Sequence, residues 1–421
     1  MPEKWTAMTE QQALDELLLS TDQIRVGLAA NLADYVFEDR NGNAVKGSEV
    51  DYNGSPTGYT GDPQEHIIYV SAHDNQTLFD INQYHNPVAT SMDDRVRTQN
   101  LGVDFTVLSQ GVPFFHAGVD MLRSKSLDRD SFNSGDWFNK LDYTYETNNW
   151  GVGLPVAGKN QSNWGVIQPL LANPSLAPEK SDIEAATAHL LEMLEIRTSS
   201  PLFRLQTAQE VKDRLAFHNT GSGQVPGVIV MSIADTVGAD LDPNADAVFV
   251  VFNSVDEELT FPVADLVGLP VELHPTLATS ADAVVQGAAF DEATGTFTVP
   301  ARTTAVFVQA EPDTEAPTVT AELEGLRVYP HIGTFRVHFS CTDDTDPNPA
   351  TVAAVNGVPV ANGDRLALIE TRRREDHLRI GRVVIIWGPE FELVVTCTDA
   401  SGNVATAVAI PEFAPRRFPW R

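Results

Sequence analysis

HIIYVSAHDNQT, residues His66–Thr77, joins an apolar run to five consecutive polar side chains. Ile67, Ile68, Tyr69 and Val70 are β-branched or aromatic, the residue types that favour a strand. His73, Asp74, Asn75, Gln76 and Thr77 follow without interruption. Each polar group at the end of a buried strand needs a hydrogen-bond partner, so such a cluster is costly to bury. Loops at the carboxyl ends of parallel strands carry the chemistry of many α/β enzymes. The residues alone allow either a working site or a polar turn that closes a strand.

Outward from this stretch the pattern is α/β. Thr9-Glu10-Gln11-Gln12 has capping-box spacing, and Ala13, Leu14, Leu17 and Leu18 mark one helical face. Gln23–Leu28 (QIRVGL) reads as a short strand. Asp51–Gln64 is turn-rich and carries Tyr52 and Tyr59, which either stack on a ligand or pack the loop. Ser91 caps a helix whose apolar side includes Val96, Leu101, Val103 and Val107, and Gly111 breaks it before a strand over Val112–Phe115. Strand, helix and strand in succession imply a parallel sheet.

Residues 119–180 show no clear periodicity, yet hold Arg123, Lys125, Asp128, Arg129, Asp130, Asp136, Asn160 and three tryptophans. Long structureless loops within compact domains are usually functional. Ser181-Asp182-Ile183-Glu184 reads as a second capping box, ahead of a helix that ends before Pro201. Glu192 and Glu195 read as its solvated face. From Arg214 to Gln309 short apolar runs separated by Gly, Pro and Asp turns predict an antiparallel β-sandwich. A proline-bearing linker, 311–317, precedes a second all-β segment from Thr318 to about Ile410. Within it Cys341 and Cys397 each precede a Thr-Asp pair. Asp399, Ser401 and Asn403 form either a tight turn or part of a calcium site. Arg372–Arg374 reads as an exposed basic run and Arg416–Arg421 as part of a disordered tail.

The formal net charge is −30, of which −26 falls on residues 1–312 and −4 on the remainder. This makes nucleic acid a poor partner and leaves a neutral polysaccharide compatible. No apolar run approaches a membrane span, and Met1–Leu19 lacks the basic and apolar regions of a signal peptide. No CxxC or paired-His spacing points to zinc.

YVSAHDNQTLFD resembles the fourth conserved region of the α-amylase superfamily, in the wording of its pullulanase-type debranching enzymes and limit dextrinases. GVPFFHAG (Gly111–Gly118) is similar to the eighth barrel strand and its exit. LRSKSLDRDSFNSGDWFN (Leu122–Asn139) is similar to the loop that follows, and SSPLFRL (Ser199–Leu205) to the end of the last barrel helix. FTVPARTTAVFV (Phe297–Val308) is similar to the closing strands of the C-terminal sandwich. The likeness runs from about Thr21 to Gln309. The second all-β segment resembles immunoglobulin-like modules appended to secreted bacterial enzymes.

The resemblance implies a multidomain chain, α/β then all-β. Its parts are the last strands of a (β/α)8 barrel (1–204), an antiparallel β-sandwich (205–310), a linker (311–317), an immunoglobulin-like sandwich (318–410) and a tail (411–421). QIRVGL then corresponds to the sixth barrel strand or to part of the loop after it. The implied activity is retaining hydrolysis of α-1,6-glucosidic branch linkages in pullulan, starch or glycogen-derived dextrins. Asp74 is the carboxylate that grips sugar hydroxyls in the transition state, and His73 donates to a hydroxyl of the same sugar. Asn75 either contacts the sugar or holds the loop. Asp128, Arg129 and Asn160 are expected to contact glucose units. The nucleophile Asp and acid Glu of the family lie in motifs upstream of the His-Asp pair, and nothing here matches them. Only 72 residues precede His73, where a full barrel takes roughly 250. The expectation is a C-terminal portion, inactive alone, with a catalytically inactive glucan-binding or scaffolding protein as the alternative. No cofactor is required, and calcium is compatible without an assigned site. A Cys341–Cys397 disulfide, if formed, staples two sheets and places the chain in a secreted, periplasmic or cell-surface setting.

Overall fold

The computed structural model describes residues 8–311, 313–371 and 376–415. Two compact units divide between Glu311 and Pro312. The expectations for Arg372–Arg374 and for Arg416–Arg421 lie outside the described residues.

The first unit opens with helix α1 (Glu10–Leu28), capped by Thr9 and Gln12 in the reciprocal box read from the sequence. The strand expected over Gln23–Leu28 is instead the last turns of this helix. Asp22 and Arg25 lie three residues apart on one buried face, with Arg25 Nη1 donating to Asp22 Oδ1 at 2.7 Å. The guanidinium also donates to Gln224 Oε1 (2.7 Å) and to the Asn219 carbonyl. A helical spacing brings this pair together, whereas strand alternation would put Asp22 and Arg25 on opposite faces. Two short hairpins follow, β1 (Val36–Glu38) with β2 (Ala44–Lys46) and β3 (Asp51–Tyr52) with β4 (Ser55–Pro56).

Strand β5 (Ile67–Ile68), helix α2 (Leu78–His85), helix α3 (Met92–Val107) and strand β6 (Val112–Pro113) come next. β5 and β6 pair in parallel, with Ile67 opposite Val112 and Ile68 opposite Pro113. The expectation of a buried strand is corrected here. Ile67, Tyr69, Val70, Val112 and Phe114 are all exposed. The pair has no further strand beside it among the described residues, so nothing covers these side chains.

Residues 119–180 are 3-10 turns with helices α4 (Ala157–Asn160) and α5 (Trp164–Leu171). The cap of helix α6 (Lys180–Ser199) lies two residues before the expected one at Ser181. Glu179 is its N-cap, and the Glu179 N–H donates to Asp182 at 2.7 Å. Helix α6 packs on α3. Arg197 donates to the Val107, Ser109 and Gly111 carbonyls at 2.6, 2.7 and 3.0 Å, satisfying the end of α3 with a cation. His189 Nε2 meets Asp104 Oδ1 at 2.7 Å across the same pair of helices. Glu192 is not merely solvated, because it accepts from Ser280 Oγ (2.7 Å) and the Ala281 N–H (3.1 Å).

After helix α7 (Ala208–Arg214) come β7 (Leu215–Phe217), β8 (Val228–Ala234), β9 (Ala245–Asn253), β10 (Leu259–Pro262) and β11 (Val271–Leu273). Helix α8 (Pro275–Ala278) precedes β12 (Ala289–Asp291), β13 (Thr296–Val299) and β14 (Thr303–Ala310). They form an antiparallel sheet in the order β11-β14-β9-β8-β7 and a second in the order β10-β13-β12. β9 is buried on both faces, which explains its unbroken run AVFVVFN. Phe249 and Val251 pack toward the smaller sheet with Phe297 and Phe307. Val250 and Phe252 share a core with Val103, Val107 and Met193 of the helices. The rings of Phe105 and Phe252 stack with centroids 4.5 Å apart.

The second unit contains β15 (Thr318–Val328), β16 (Ile332–Thr342), β17 (Ala350–Val355), β18 (Val358–Pro359) and β19 (Arg365–Glu370). It ends with β20 (Asp376–Ile380), β21 (Val383–Gly388), β22 (Leu393–Thr398) and β23 (Val404–Ala409). One sheet runs β15-β16-β19-β21-β20 and the other β18-β17-β22-β23. Phe335, Val337, Leu366, Leu368, Leu393 and Val395 fill the space between them. A Cys341–Cys397 disulfide joins β16 to β22, one from each sheet, with Cα atoms 6.0 Å apart.

Candidate active-site loop

His73 and Asp74 follow β5 on a loop that ends where Thr77 caps α2, accepting from the Asp80 N–H at 3.2 Å. Their side chains are 89 % and 76 % exposed, with His73 Nε2 3.8 Å from Asp74 Oδ1. Asn75, at φ +60°, makes the left-handed bend that the loop needs.

A buried ammonium holds this loop from beneath. Lys125 Nζ donates to the His73 carbonyl and the Asn75 carbonyl, both at 2.7 Å. Burial pulls the Lys125 pKa down, and the charges of Asp80, Asp128 and Asp74 oppose that pull. Asp80 is fully buried at the first turn of α2, where a carboxylate suits the helix dipole. It accepts from Ser124 Oγ (2.6 Å), the Lys125 N–H (2.8 Å) and the Leu127 N–H (3.2 Å). Burial pushes its carboxyl up to about 6, against those bonds and the Lys125 charge. Leu122, Ser126 and Leu127 all have positive φ in this segment. L-residues there cost roughly 1 kcal/mol or more each, so the Asp80 bonds hold a strained bend in place.

Beside the loop, Arg123 Nη1 donates to His116 Nε2 at 3.0 Å and to the Ala117 carbonyl at 2.8 Å. A guanidinium has no acceptor, so Nε2 accepts and the ring proton sits on Nδ1, facing Ser71 Oγ at 3.2 Å. Burial, with the Arg123, Lys125 and His73 charges, pushes His116 down to about 4, so it is neutral at pH 7.

His73, Asp74, Arg123, Lys125, Asp130 and Phe132 line a cleft of about 110 Å³. Phe132, Trp137 and Tyr143 are exposed in the segment that borders it, as are Tyr52 and Tyr59 in the earlier turn-rich stretch. Arg129 is exposed and donates from Nη2 to Asn75 Oδ1 at 3.3 Å. Asp128 and Asn160 are placed differently from what the sequence suggests. Both are buried and bonded to each other, Asn160 Nδ2 to Asp128 Oδ1 at 3.0 Å. Asp128 Oδ2 accepts from Ser134 Oγ, and Asn160 Oδ1 accepts from the Arg129 N–H at 3.2 Å. As placed, they carry no side-chain surface for a ligand and fix the backbone of Arg129. Asn75 and Arg129 remain at the surface beside His73 and Asp74. The sequence reading named Lys125 only as one polar loop residue and gave Asp80 no role. The Thr77-x-x-Asp80 spacing was the available signal, since it marks a helix start with an acid at its third position.

Residues 145–310 match the family model described as alpha-1,6-glucosidases, pullulanase-type, C-terminal. The chain is 50 % identical over 307 residues to the chloroplastic Pullulanase 1 of Arabidopsis thaliana, covering 71 % of this chain and 32 % of that protein. It is similar to the crystal structure of PulA from Klebsiella oxytoca, with a TM-score of 0.68 and 38 % identity, covering 71 % of this chain and 28 % of that one. A Klebsiella pneumoniae pullulanase complexed with maltotriose gives a TM-score of 0.66 and 37 % identity, covering 71 % of this chain and 28 % of that one. The chain therefore spans less than a third of the length of these relatives. The shared parts are mostly β-sheet toward the C-terminus, with some helices. Among the described residues no helix is long and apolar enough to cross a membrane. Residues 145–310 are the C-terminal region of the pullulanase-type α-1,6-glucosidase family, within a chain similar to pullulanases over 71 % of its length.

Proposed function

We propose that this chain supplies the carboxyl-terminal part of a debranching active site that hydrolyses α-1,6-glucosidic linkages in branched α-glucans. The carrying observation is the exposed His73–Asp74 pair, held from beneath by the buried Lys125 ammonium. Asp74 binds two neighbouring hydroxyls of the sugar whose bond breaks, and His73 donates to a third oxygen. Such bonds tighten as the ring flattens toward an oxocarbenium ion, which lowers the barrier rather than only improving binding. Retaining hydrolysis also needs a nucleophile and an acid about 5 Å apart. In the family that the sequence resembles, these lie on barrel strands ahead of the His-Asp pair. The exposed apolar flank of β5 and β6 supports a place for such strands. On this reading residues 1–204 are the last part of the barrel, 205–310 its β-sandwich, and 318–410 an immunoglobulin-like module after the linker. The disulfide supports a secreted or cell-surface setting.

Asn75 and Arg129 contact further glucose units, with Asp128 and Asn160 positioning Arg129. The test is reducing-sugar release from pullulan. The chain alone should release none. Fused behind the front portion of the plant relative it should turn over, and Asp74→Asn should abolish that turnover. Release by the chain alone that persists in Asp74→Asn would overturn the proposal. The exposed rings of Phe132, Trp137 and Tyr143 favour a second reading, glucan binding without turnover. Retardation in pullulan-containing gels, with an inactive fusion, distinguishes it.

A further inference from the structure

Cys341-Thr342-Asp343 and Cys397-Thr398-Asp399 repeat one pattern at the ends of β16 and β22. Side chains two apart along an extended chain point the same way. The disulfide that joins the two cysteines therefore also brings the two aspartates together. Asp313, from the segment ahead of β15, completes the group. One carboxylate oxygen from each of Asp313, Asp343 and Asp399 lies within 4.8 Å of the others.

The hydrogen bonds present leave this cluster incomplete. Asp399 is only 6 % exposed. Its Oδ1 accepts from the Asn403 N–H at 2.8 Å, whereas its Oδ2 is buried with no donor. A buried carboxylate oxygen without a partner is costly, which points to a missing cation rather than a turn alone. Thr345 Oγ1 lies 2.7 Å from Asp313 Oδ2 and 2.9 Å from Asp343 Oδ1, but has one proton to give. Asp343 Oδ1 also accepts from the Asp346 N–H at 2.7 Å and the Thr345 N–H at 3.1 Å. Among the described residues no Lys, Arg or His is within ion-pair distance of the three carboxylates.

We propose that Asp313, Asp343 and Asp399 form a calcium site in the second unit. An all-oxygen set without His or Cys suits a hard cation. Calcium, at roughly 2.3–2.6 Å from each oxygen, accommodates this spread better than magnesium at about 2.1 Å. The ion ties the start of the unit to the exit of β16 and to the turn between β22 and β23, beside the disulfide. This site is independent of the debranching reading.

The experiment uses the full chain, stripped with chelator and then titrated with calcium ion alone by calorimetry and followed by thermal unfolding. One calcium per chain is expected at the site, with an upward shift of the second unit's melting that an equal concentration of magnesium does not reproduce. Asp343→Asn and Asp399→Asn each keep an acceptor oxygen but remove a charge. Both should weaken calcium binding by roughly tenfold or more. In chelator both should melt no lower than the parent, because a repelling charge has gone. No calcium bound at millimolar concentration, or undiminished binding in both variants, overturns the proposal.

Discussion

Lys125 Nζ donates to the His73 carbonyl at 2.7 Å, across 52 residues of sequence, from a side chain that is itself buried. The exposed His73–Asp74 pair thus rests on a charge-assisted bond rather than on its own packing. Asp80 stands behind that bond, holding the backbone of Lys125 through its N–H.

Replacing Lys125 with Met keeps the length of the side chain but removes two bonds from a charged donor, each worth roughly 1.5–3 kcal/mol. It also removes the Lys125 charge that favours the Asp80 carboxylate. The variant should lose about 2–4 kcal/mol of stability and show faster proteolytic nicking at 72–76. In the fused, active form its kcat should fall more than its KM rises. Unchanged cleavage kinetics would mean that the loop is held otherwise.

Asp74→Ala should lower pullulan turnover of the fused form by orders of magnitude while the thermal melt stays within about 1 kcal/mol of the parent, since the side chain is exposed. Near-normal turnover would remove Asp74 from the mechanism.

Asp80 leaves a signature in the pH dependence of stability. Burial raises its carboxyl from 3.8 to about 6. The folded state then holds this proton more tightly than the unfolded chain, so the group's contribution is most favourable below pH 3.8. It worsens as pH rises to about 6 and stays unfavourable above. Asp80→Asn can still accept from the Lys125 and Leu127 N–H groups and donate to Ser124 Oγ. Urea melts of parent and variant between pH 4 and pH 7 should therefore shift in the variant's favour as pH rises. A constant difference across that range would contradict the assignment.

His189 acts with the same sign at higher pH. Burial works against its charged form, but the charge and hydrogen bond of Asp104, with Glu192 and Asp282 beyond, prevail and raise its pKa above 6.5. That stabilisation is complete below pH 6.5 and is lost as pH climbs through the raised value. Stability should fall between pH 6 and pH 9 in the parent, and His189→Gln should flatten that slope.

Reduction of the Cys341–Cys397 bond should destabilise the second unit by roughly 4 kcal/mol, the loop-closure cost for cysteines 56 residues apart. Separate melting transitions with and without reductant would measure it, and an unchanged second transition would count against the bond.

Local signals were readable where one residue's chemistry suffices. Thr9 and Ser91 cap helices where their spacing indicated. The apolar runs at 228–234, 245–253 and 303–310 became strands because each buries a long apolar stretch. Gln23–Leu28 misled because Ile, Val and Leu suit a strand, while Arg25 is bonded not only to Asp22 but to the distant Asn219 and Gln224. Asp128 and Asn160 looked like ligands for sugar because their chemistry fits hydroxyls, yet the same chemistry bonds them to each other.

Composition, periodicity and the HDNQT cluster were enough to read an α/β part followed by β-sheet, a His-Asp pair after a strand and a cysteine pair in matched strands. These depend on intervals of a few residues, which the chain itself carries. Which polar groups face solvent was decided only by the tertiary structure. Asp80 meets the Lys125 N–H across 45 residues, and Asp313 meets Asp343 and Asp399 through strands that fold back on one another. Burial of a charge depends on what the distant chain places beside it, and no local pattern contains that information.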